Sequence, residues 1–437
     1  NKSLTKMKIN YLVDNLKSKN KNSFLINFLK NQLLKEFEKL NYGRIIVKDG
    51  NEKFEFGLLN SDLLVNVTIL NSKFYSFIGT NGLIGASEAY TLGYWKSDDI
   101  VKLIQIIFRN KETMSAMDST FSIFIKPLNS LLHKGRQNSI IGSKKNILAH
   151  YDLSNEFYKL WLDNTMTYSC GIFENENSSM EDASYEKIDR LCRKINLCEN
   201  DNILEIGTGW GSFAIYAAKK YGCNIVTTTI SDSQYQYVKS RIEKENISNK
   251  VKLIKSDYRN LDGKFDKIIS IEMIEAVGYK YIPTYFKKIS SLLTENGQFA
   301  MQGITYNDHN FETYRKSVDF IQKYIFPGSC LISINHITEI IKKYTDLSIS
   351  HLEDITYHYA RTLNIWRENF ISQKNEIKKL GFSDEFINLW EFYLVYCEAG
   401  FLERNIGDYQ FMAMANMVMC SSCLDKSNQE LFFGKLD

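Results

Sequence analysis

Asn202-Ile-Leu-Glu-Ile-Gly-Thr-Gly-Trp-Gly-Ser-Phe-Ala-Ile-Tyr-Ala-Ala-Lys-Lys220 is the stretch that decides the fold. A short apolar run, a glycine-rich turn and a segment of helical spacing follow one another without a break, which is how a doubly wound sheet begins. The same alternation continues downstream. Cys223 to Thr228 reads as a second strand, Gln234 to Glu245 as a helix and Val251 to Ile254 as a third strand. Phe265 to Ile271 makes a fourth strand, Tyr281 to Leu293 a helix and Gln298 to Gln302 a fifth strand. Strands and helices alternating at this spacing predict an α/β, Rossmann-like domain with a mostly parallel doubly wound sheet covered on both faces. Ligands of such sheets bind beyond the C-terminal strand ends.

Upstream the pattern is different. Phe24, Phe28, Leu29 and Leu33 recur at helical spacing, and Arg44 to Val47, the Asp49-Gly50 turn and Phe54 to Phe56 read as a β-hairpin. Val65, Val67 and Ile69 alternate with polar residues as in a half-buried strand, Phe74 to Ile78 suggests another, and helices are expected at 84–90 and 97–110. This is a small N-terminal α+β domain, assigned to residues 1–140, with the catalytic domain at 141–437. The polar, basic stretch around 133–146 marks the boundary.

With 437 residues the chain is long enough for two domains, and 44% apolar and 24% charged residues are ordinary for a globular protein. Three prolines and no low-complexity tract leave no sign of a long flexible linker. A net charge of +3 argues against nucleic acid as the main partner. Lys134, Arg136, Lys144 and Lys145 form a local basic cluster, which reads as a solvated surface or as a contact for anionic lipid headgroups. No apolar run reaches the roughly 18 to 20 residues of a membrane span, and no secretory pattern opens the sequence. Eight scattered cysteines suit a reducing cytoplasm, and the lone Cys420/Cys423 pair reads as structural. His133, His309, His336, His351 and His358 lack metal-ligand spacing, so no metal is expected.

A glycine turn between strand and helix lets backbone approach a nucleoside closely, but dinucleotide enzymes share that feature. Two details favour S-adenosylmethionine. Glu205 stands within the strand, where a carboxylate can bind the methionine amino group, and the spacing Gly207-x-Gly209-x-Gly211 places Ser212 where the dinucleotide pattern has its third glycine. The second strand also ends in Thr227-Thr-Thr229, with no acidic residue to hold a dinucleotide ribose.

Further segments extend the reading. They are His150-Tyr-Asp152-Leu-Ser-Asn-Glu-Phe-Tyr158, Trp161-Leu-Asp163, Met166-Thr-Tyr-Ser-Cys170, Thr229-Ile-Ser-x-x-Gln234 and Asp257-Tyr-Arg259. Glu272-Met-Ile-Glu275-Ala-Val-Gly278, Tyr324-Ile-Phe-Pro-Gly-Ser-Cys330, Tyr359-Ala-Arg-Thr-Leu363 and Arg404-Asn-Ile406 follow in order. Together they resemble the cyclopropane fatty-acyl-phospholipid synthases over about residues 150 to 406, and Gly85-x-x-Glu88-Ala-Tyr90-x-x-Gly93 resembles the N-terminal domain of the longer bacterial members. The resemblance implies an enzyme that transfers a methylene group from S-adenosylmethionine to the cis double bond of an unsaturated phospholipid acyl chain. It implies a cofactor pocket lined by Tyr168, Ser169, Glu205, Gly207, Thr208, Gly209, Gly211, Thr229, Ile230, Gln234, Asp257 and Tyr258. It also implies a bound bicarbonate as general base at Cys170, Glu275, Gln302, Ile304 (through its backbone) and Tyr359, a homodimer, and a cytoplasmic protein peripherally associated with the inner face of the membrane.

An alkene has no proton to lose before attack, so positioning it against the sulfonium methyl is most of the task. The carbocation formed must be shielded from water until a proton leaves. Aromatic faces suit that cation, and Phe311, Tyr314, Phe320, Tyr324 and Phe326 crowd the segment after the fifth strand. Two positions depart from many bacterial members, which have His in place of Gln302 and of Ala276. Glutamine keeps a donor and an acceptor but cannot titrate. His150 beside Tyr151 and Asp152 has no nucleophile nearby and reads as structural or as part of a cofactor lid. Three alternatives stand beside the ring-forming reading: C-methylation giving a methyl-branched or methyl-substituted chain, a lipid-binding scaffold on an inactive cofactor fold, and a soluble small-molecule methyltransferase.

Overall fold

The computed structural model describes residues 23–111 and 153–415. The expected boundary segment, its basic cluster, His133, His150 to Asp152 and the Cys420/Cys423 pair lie outside the described residues.

The N-terminal unit begins with the helix Ser23–Phe37, whose Leu29, Leu33 and Phe37 are buried while Phe28 is 45% exposed and faces out. Strands β1 (Arg44–Asp49) and β2 (Glu52–Gly57) form the expected hairpin across Gly50, which adopts a left-handed φ of 60°. β3 (Leu64–Ile69) pairs parallel with β1 and buries Val65, Val67 and Ile69, and β4 (Trp95–Ser97) closes the sheet in the order β2-β1-β3-β4. Phe74 to Ile78 is not a strand. It opens the helix Lys73–Thr91, because Phe74, Tyr75, Phe77 and Ile78 sit at helical spacing and all four are buried. That helix kinks at Gly82, where φ is 53°. The expected helix at 97–110 starts later, at Ile100, where the Asp99 carboxylate caps the N–H of Lys102.

The catalytic domain is built on a seven-stranded sheet, ordered β10-β11-β9-β8-β5-β6-β7. Strands β5 (Asn202–Ile206), β6 (Asn224–Thr229), β7 (Val251–Lys255), β8 (Phe265–Ile271) and β9 (Leu293–Tyr306) run parallel, with crossover helices Ser212–Tyr221, Asp232–Lys244 and Ile282–Leu292. The fifth strand is far longer than 298–302. It pairs with β8 on one side and with the antiparallel β11 (Ile406–Ala415) on the other, so hydrogen bonding continues past the apolar run. β10 (Leu347–Asp354) is a mostly exposed edge strand paired with β11.

The two regions share one apolar core. The helix Asp384–Leu402 lies between them, with Phe392 centred 5.7 Å from Tyr90 and 5.1 Å from Phe320, and Phe108 centred 5.6 Å from Tyr396. Polar ties cross the same contact. Arg109 grips the Glu403 carboxylate through Nε and Nη2, and the buried Glu88 accepts from Lys323 at 2.8 Å and from the Tyr324 hydroxyl. Lys323 and Tyr324 lie in a one-turn π-helix, Ile321–Ile325. Phe392→Ala is expected to cost about 3 to 5 kcal/mol, and urea unfolding should remain a single transition because both regions draw on that core.

Candidate active site

The glycine loop follows β5 directly. Gly207, Gly209 and Gly211 all take left-handed φ angles, of 96°, 52° and 90°, which L side chains rarely adopt. At Gly207 a Cβ would also come within 3.0 Å of Met273. The loop turns the chain into the helix Ser212–Tyr221 at the C-terminal end of the parallel strands and opens a pocket there.

Of the expected cofactor residues, Tyr168, Ser169, Glu205, Gly207, Thr208, Gly209, Thr229, Ile230, Gln234, Asp257 and Tyr258 line this pocket. Gly211 does not. It forms the N-cap of the helix, where a Cβ would come 3.1 Å from Val238, so its part is to let helix and neighbour approach. Glu205 is buried and accepts from the Thr227 hydroxyl at 2.5 Å. Burial pushes its carboxyl up to about 8, against the opposing pull of Thr227 and Lys187. An ammonium brought against it would hold it ionised, which fits the amino-acid end of S-adenosylmethionine. Thr229 donates to the Gln234 side-chain carbonyl at 2.8 Å, and Arg259 clamps Asp257 with two 2.7 Å bonds. Tyr258 packs edge-on against Tyr285, leaving its ring as a wall of the pocket.

The five expected catalytic positions come together, but around a residue the sequence reading quoted only as part of a motif. Glu272 follows β8 with φ 45°, a left-handed conformation that costs a non-glycine residue about 1 to 3 kcal/mol. Its Oε1 accepts from the Cys170 backbone N–H and from Gln302 Nε2, both at 2.8 Å. Its Oε2 accepts from the Tyr359 hydroxyl at 2.6 Å. Cys170 therefore acts through its backbone. Its thiol is fully buried, points to the Gly171 carbonyl, and is pushed well above the ordinary range by burial. Glu275 Oε1 accepts from the Ile304 N–H at 2.5 Å, while Oε2 is buried with no donor. Burial, and then the neighbouring Glu272, push Glu275 up to about 8.

Two more residues arrive on β11, whose register sets Asp408 opposite Ile304 and Gln410 opposite Gln302. Gln410 Nε2 donates to Gln302 Oε1 at 3.1 Å, which orients the Gln302 amide so that its NH2 faces Glu272 and the Cys170 carbonyl. Asp408 is completely buried and neither carboxyl oxygen meets an N–H or hydroxyl donor. Burial first, and then Glu272 and Glu275, hold it protonated far above the usual carboxylate range. Lys187, also completely buried, donates to the Ser169 hydroxyl at 2.5 Å; burial lowers its pKa. Glu272, Asp408, Gln410 and Lys187 were not singled out from sequence. The repeated acid of Glu272-Met-Ile-Glu275 was the one signal for Glu272, and the other three carry none that spacing could reveal.

Aromatic side chains close around this cluster. Tyr359 stacks on Phe401 at 4.4 Å and meets Trp366 at 6.2 Å, Tyr168 lies 5.3 Å from Trp366, and the Tyr168 and Tyr393 hydroxyls are 2.7 Å apart. Phe326 reaches Tyr393 at 5.7 Å, whereas Phe311 and Tyr314 pack in a separate small cluster with Cys330. The bicarbonate suggested by resemblance does not fit this donor set: the N–H groups of Cys170 and Ile304, the Tyr359 hydroxyl and the Gln302 amide are already engaged by Glu272 and Glu275. Among the described residues no His, Cys, Asp or Glu group is placed to hold a metal ion.

A parallel sheet with a glycine loop and a buried acid at its first strand, wrapped around a pocket of this shape, is a class I S-adenosylmethionine-dependent methyltransferase. The family can be stated as well. The sequence pattern of the mycolic acid cyclopropane synthetase family matches residues 139–411, and the chain belongs to that family. It is 35% identical over 342 residues to a tuberculostearic acid methyltransferase of Mycobacterium tuberculosis, covering 76% of this chain and 79% of that protein. To the cyclopropane-fatty-acyl-phospholipid synthase of Escherichia coli K12 it is 29% identical over 357 residues, covering 80% and 88%. Among solved structures, a mycolic acid cyclopropane synthase in complex with SAH and CTAB superimposes with a TM-score of 0.58 at 28% identity, over 62% of this chain and 98% of that one. The chain is thus a lipid-modifying S-adenosylmethionine-dependent enzyme.

Two titrations test the site. Below pH 8 Glu205 is mostly protonated, so S-adenosylhomocysteine affinity should rise several-fold from pH 6 to 8; in Glu205→Gln it should be flat and about 10-fold weaker, by calorimetry. Glu275 keeps a proton in the folded chain that the unfolded chain releases near its ordinary 4.5, so it makes stability fall as pH rises from about 5 to 8. Thermal unfolding of Glu275→Gln should show a smaller fall over that window.

Proposed function

We propose that this enzyme transfers the methyl carbon of S-adenosylmethionine to the cis double bond of an unsaturated phospholipid acyl chain and that the product is a cyclopropane ring. The observation that carries the reading is the junction of two environments. The cofactor pocket reaches Glu272, and around Glu272 lie buried carboxyls and aromatic rings. Methyl transfer to an alkene leaves a carbocation, which needs negative charge, π faces and the exclusion of water. Here Glu205 and the glycine loop fix the donor, and Tyr359, Tyr168 and Trp366 wall the acceptor side. Glu272 supplies charge within reach of the reacting carbon, and the helix Thr356–Ser372 keeps Tyr359 pointed at it.

A second reading, transfer that ends in a methyl-substituted chain, is favoured by the relative named a tuberculostearic acid methyltransferase. The two diverge only after the carbocation forms. Loss of a proton from the transferred methyl closes the ring, whereas reduction, or loss of a proton from the chain, leaves a branch. In either case the acyl chain must leave a bilayer, so we place the enzyme as a homodimer at the inner face of the membrane, with the N-terminal unit and the 133–146 segment toward the lipid. No described helix is long and apolar enough to cross a membrane.

Expression in a host rich in cis-unsaturated phospholipid, followed by mass spectrometry and proton NMR of the lipids, separates the readings. A gain of one methylene mass with loss of olefinic signals is expected. Retained olefinic signals with the same gain would replace ring formation by methylation, and unmodified lipid would remove both.

A further inference from the structure

Three donors converge on Glu272: the Cys170 N–H and Gln302 Nε2 on one oxygen, the Tyr359 hydroxyl on the other. A planar oxyanion held by N–H and O–H groups beside the cofactor pocket is therefore already present, and it is part of the chain. The backbone is bent to deliver it, since Glu272 keeps a left-handed φ of 45° while its own N–H donates to the Gln302 carbonyl at 2.8 Å. Gln410 locks the receiving amide. The surroundings speak against a second anion: Glu275 and the buried Asp408 face the same space, and the cation described beside them is Lys187. Of these acids it is Glu272 that lines the cofactor pocket.

We propose that the Glu272 carboxylate is the resident anion of the transfer site and the acceptor of the proton released after methyl transfer, with no exogenous bicarbonate. The proposal rests on the alkene acceptor named above. The C–S bond of the sulfonium breaks while the alkene π pair bonds the methyl carbon, giving neutral S-adenosylhomocysteine and a carbocation. A C–H bond next to the cation then breaks. Its electron pair closes the ring, or forms a double bond if the hydrogen leaves the chain, and the proton ends on the Glu272 oxygen that Tyr359 holds. Glu272 and the protonated Asp408 share protons directly, so Glu272 is returned to its charged form by passing one on when the product leaves.

The test compares wild type, Glu272→Gly and Glu272→Gln of the full chain. Glycine suits the φ at this position, and retained S-adenosylhomocysteine binding shows that each variant is folded. With vesicles of cis-unsaturated phosphatidylethanolamine and phosphatidylglycerol in CO2-free buffer, wild type should turn over at a rate unchanged by added bicarbonate. Glu272→Gln should lose roughly 10²-fold or more, the worth of a general base. Glu272→Gly should lose as much and recover when bicarbonate is added, because the freed donors can then hold it. Carbon-13 NMR of labelled bicarbonate, with protein and S-adenosylhomocysteine but no lipid, should show line broadening with Glu272→Gly and none with wild type. Bicarbonate-dependent wild-type turnover, or broadening by wild type, overturns the proposal. Wild type that never releases S-adenosylhomocysteine on these vesicles defeats the substrate reading instead, and the NMR experiment still decides whether bicarbonate occupies the site.

Discussion

A buried carboxylate has to be satisfied, and at Glu272 that requirement organises the catalytic half of the molecule. Cys170 comes from the loop before the sheet, Gln302 from β9 and Tyr359 from the helix after β10, separated from Glu272 by 102, 30 and 87 residues. Each has its backbone fixed by a different element, so the three donors meet only when the sheet, the entry loop and the C-terminal helices are all in place. The site and the tertiary structure are formed together.

The polar network does not stop at these three. Gln410 joins Gln302 to Lys194, and Lys194 pairs with Glu353 on the edge strand. A side-chain amide in a buried site has two orientations, and this relay selects one of them by presenting a donor to its oxygen. Gln302 thus fixes the position of Glu272, and no N–H of its amide is left to bind a second anion. The expectation that it would help hold bicarbonate treated it as an isolated side chain.

The N-terminal unit touches the same machinery from the other side. Glu88 holds Lys323 and Tyr324 in the one-turn π-helix, and Phe320, just before that turn, packs on Phe392. Two residues beyond the pair, Phe326 meets Tyr393, which shares a hydrogen bond with Tyr168 in the cofactor pocket. An appendage without a catalytic cluster of its own is therefore in mechanical contact with the aromatic wall of the transfer site. That contact gives the motif around Glu88 a physical purpose.

The sequence by itself determined the parallel strands, the crossover helices and the cofactor loop. All of these are local: apolar runs, helical spacing and glycines at positive φ act within about twenty residues of one another. It misread Phe74 to Ile78 because a short apolar run fits strand or helix until its neighbours bury one face. It also stopped β9 at Gln302, because pairing with β11 rather than hydropathy carries that strand to Tyr306. Only the tertiary structure decided what the catalytic residues do. Antiparallel β11 crosses more than a hundred residues of intervening chain to set Asp408 against Ile304 and Gln410 against Gln302, and a cluster of buried acids results. Burial and non-local hydrogen bonds set the charge and direction of those side chains, and neither is written in the spacing of the residues that carry them.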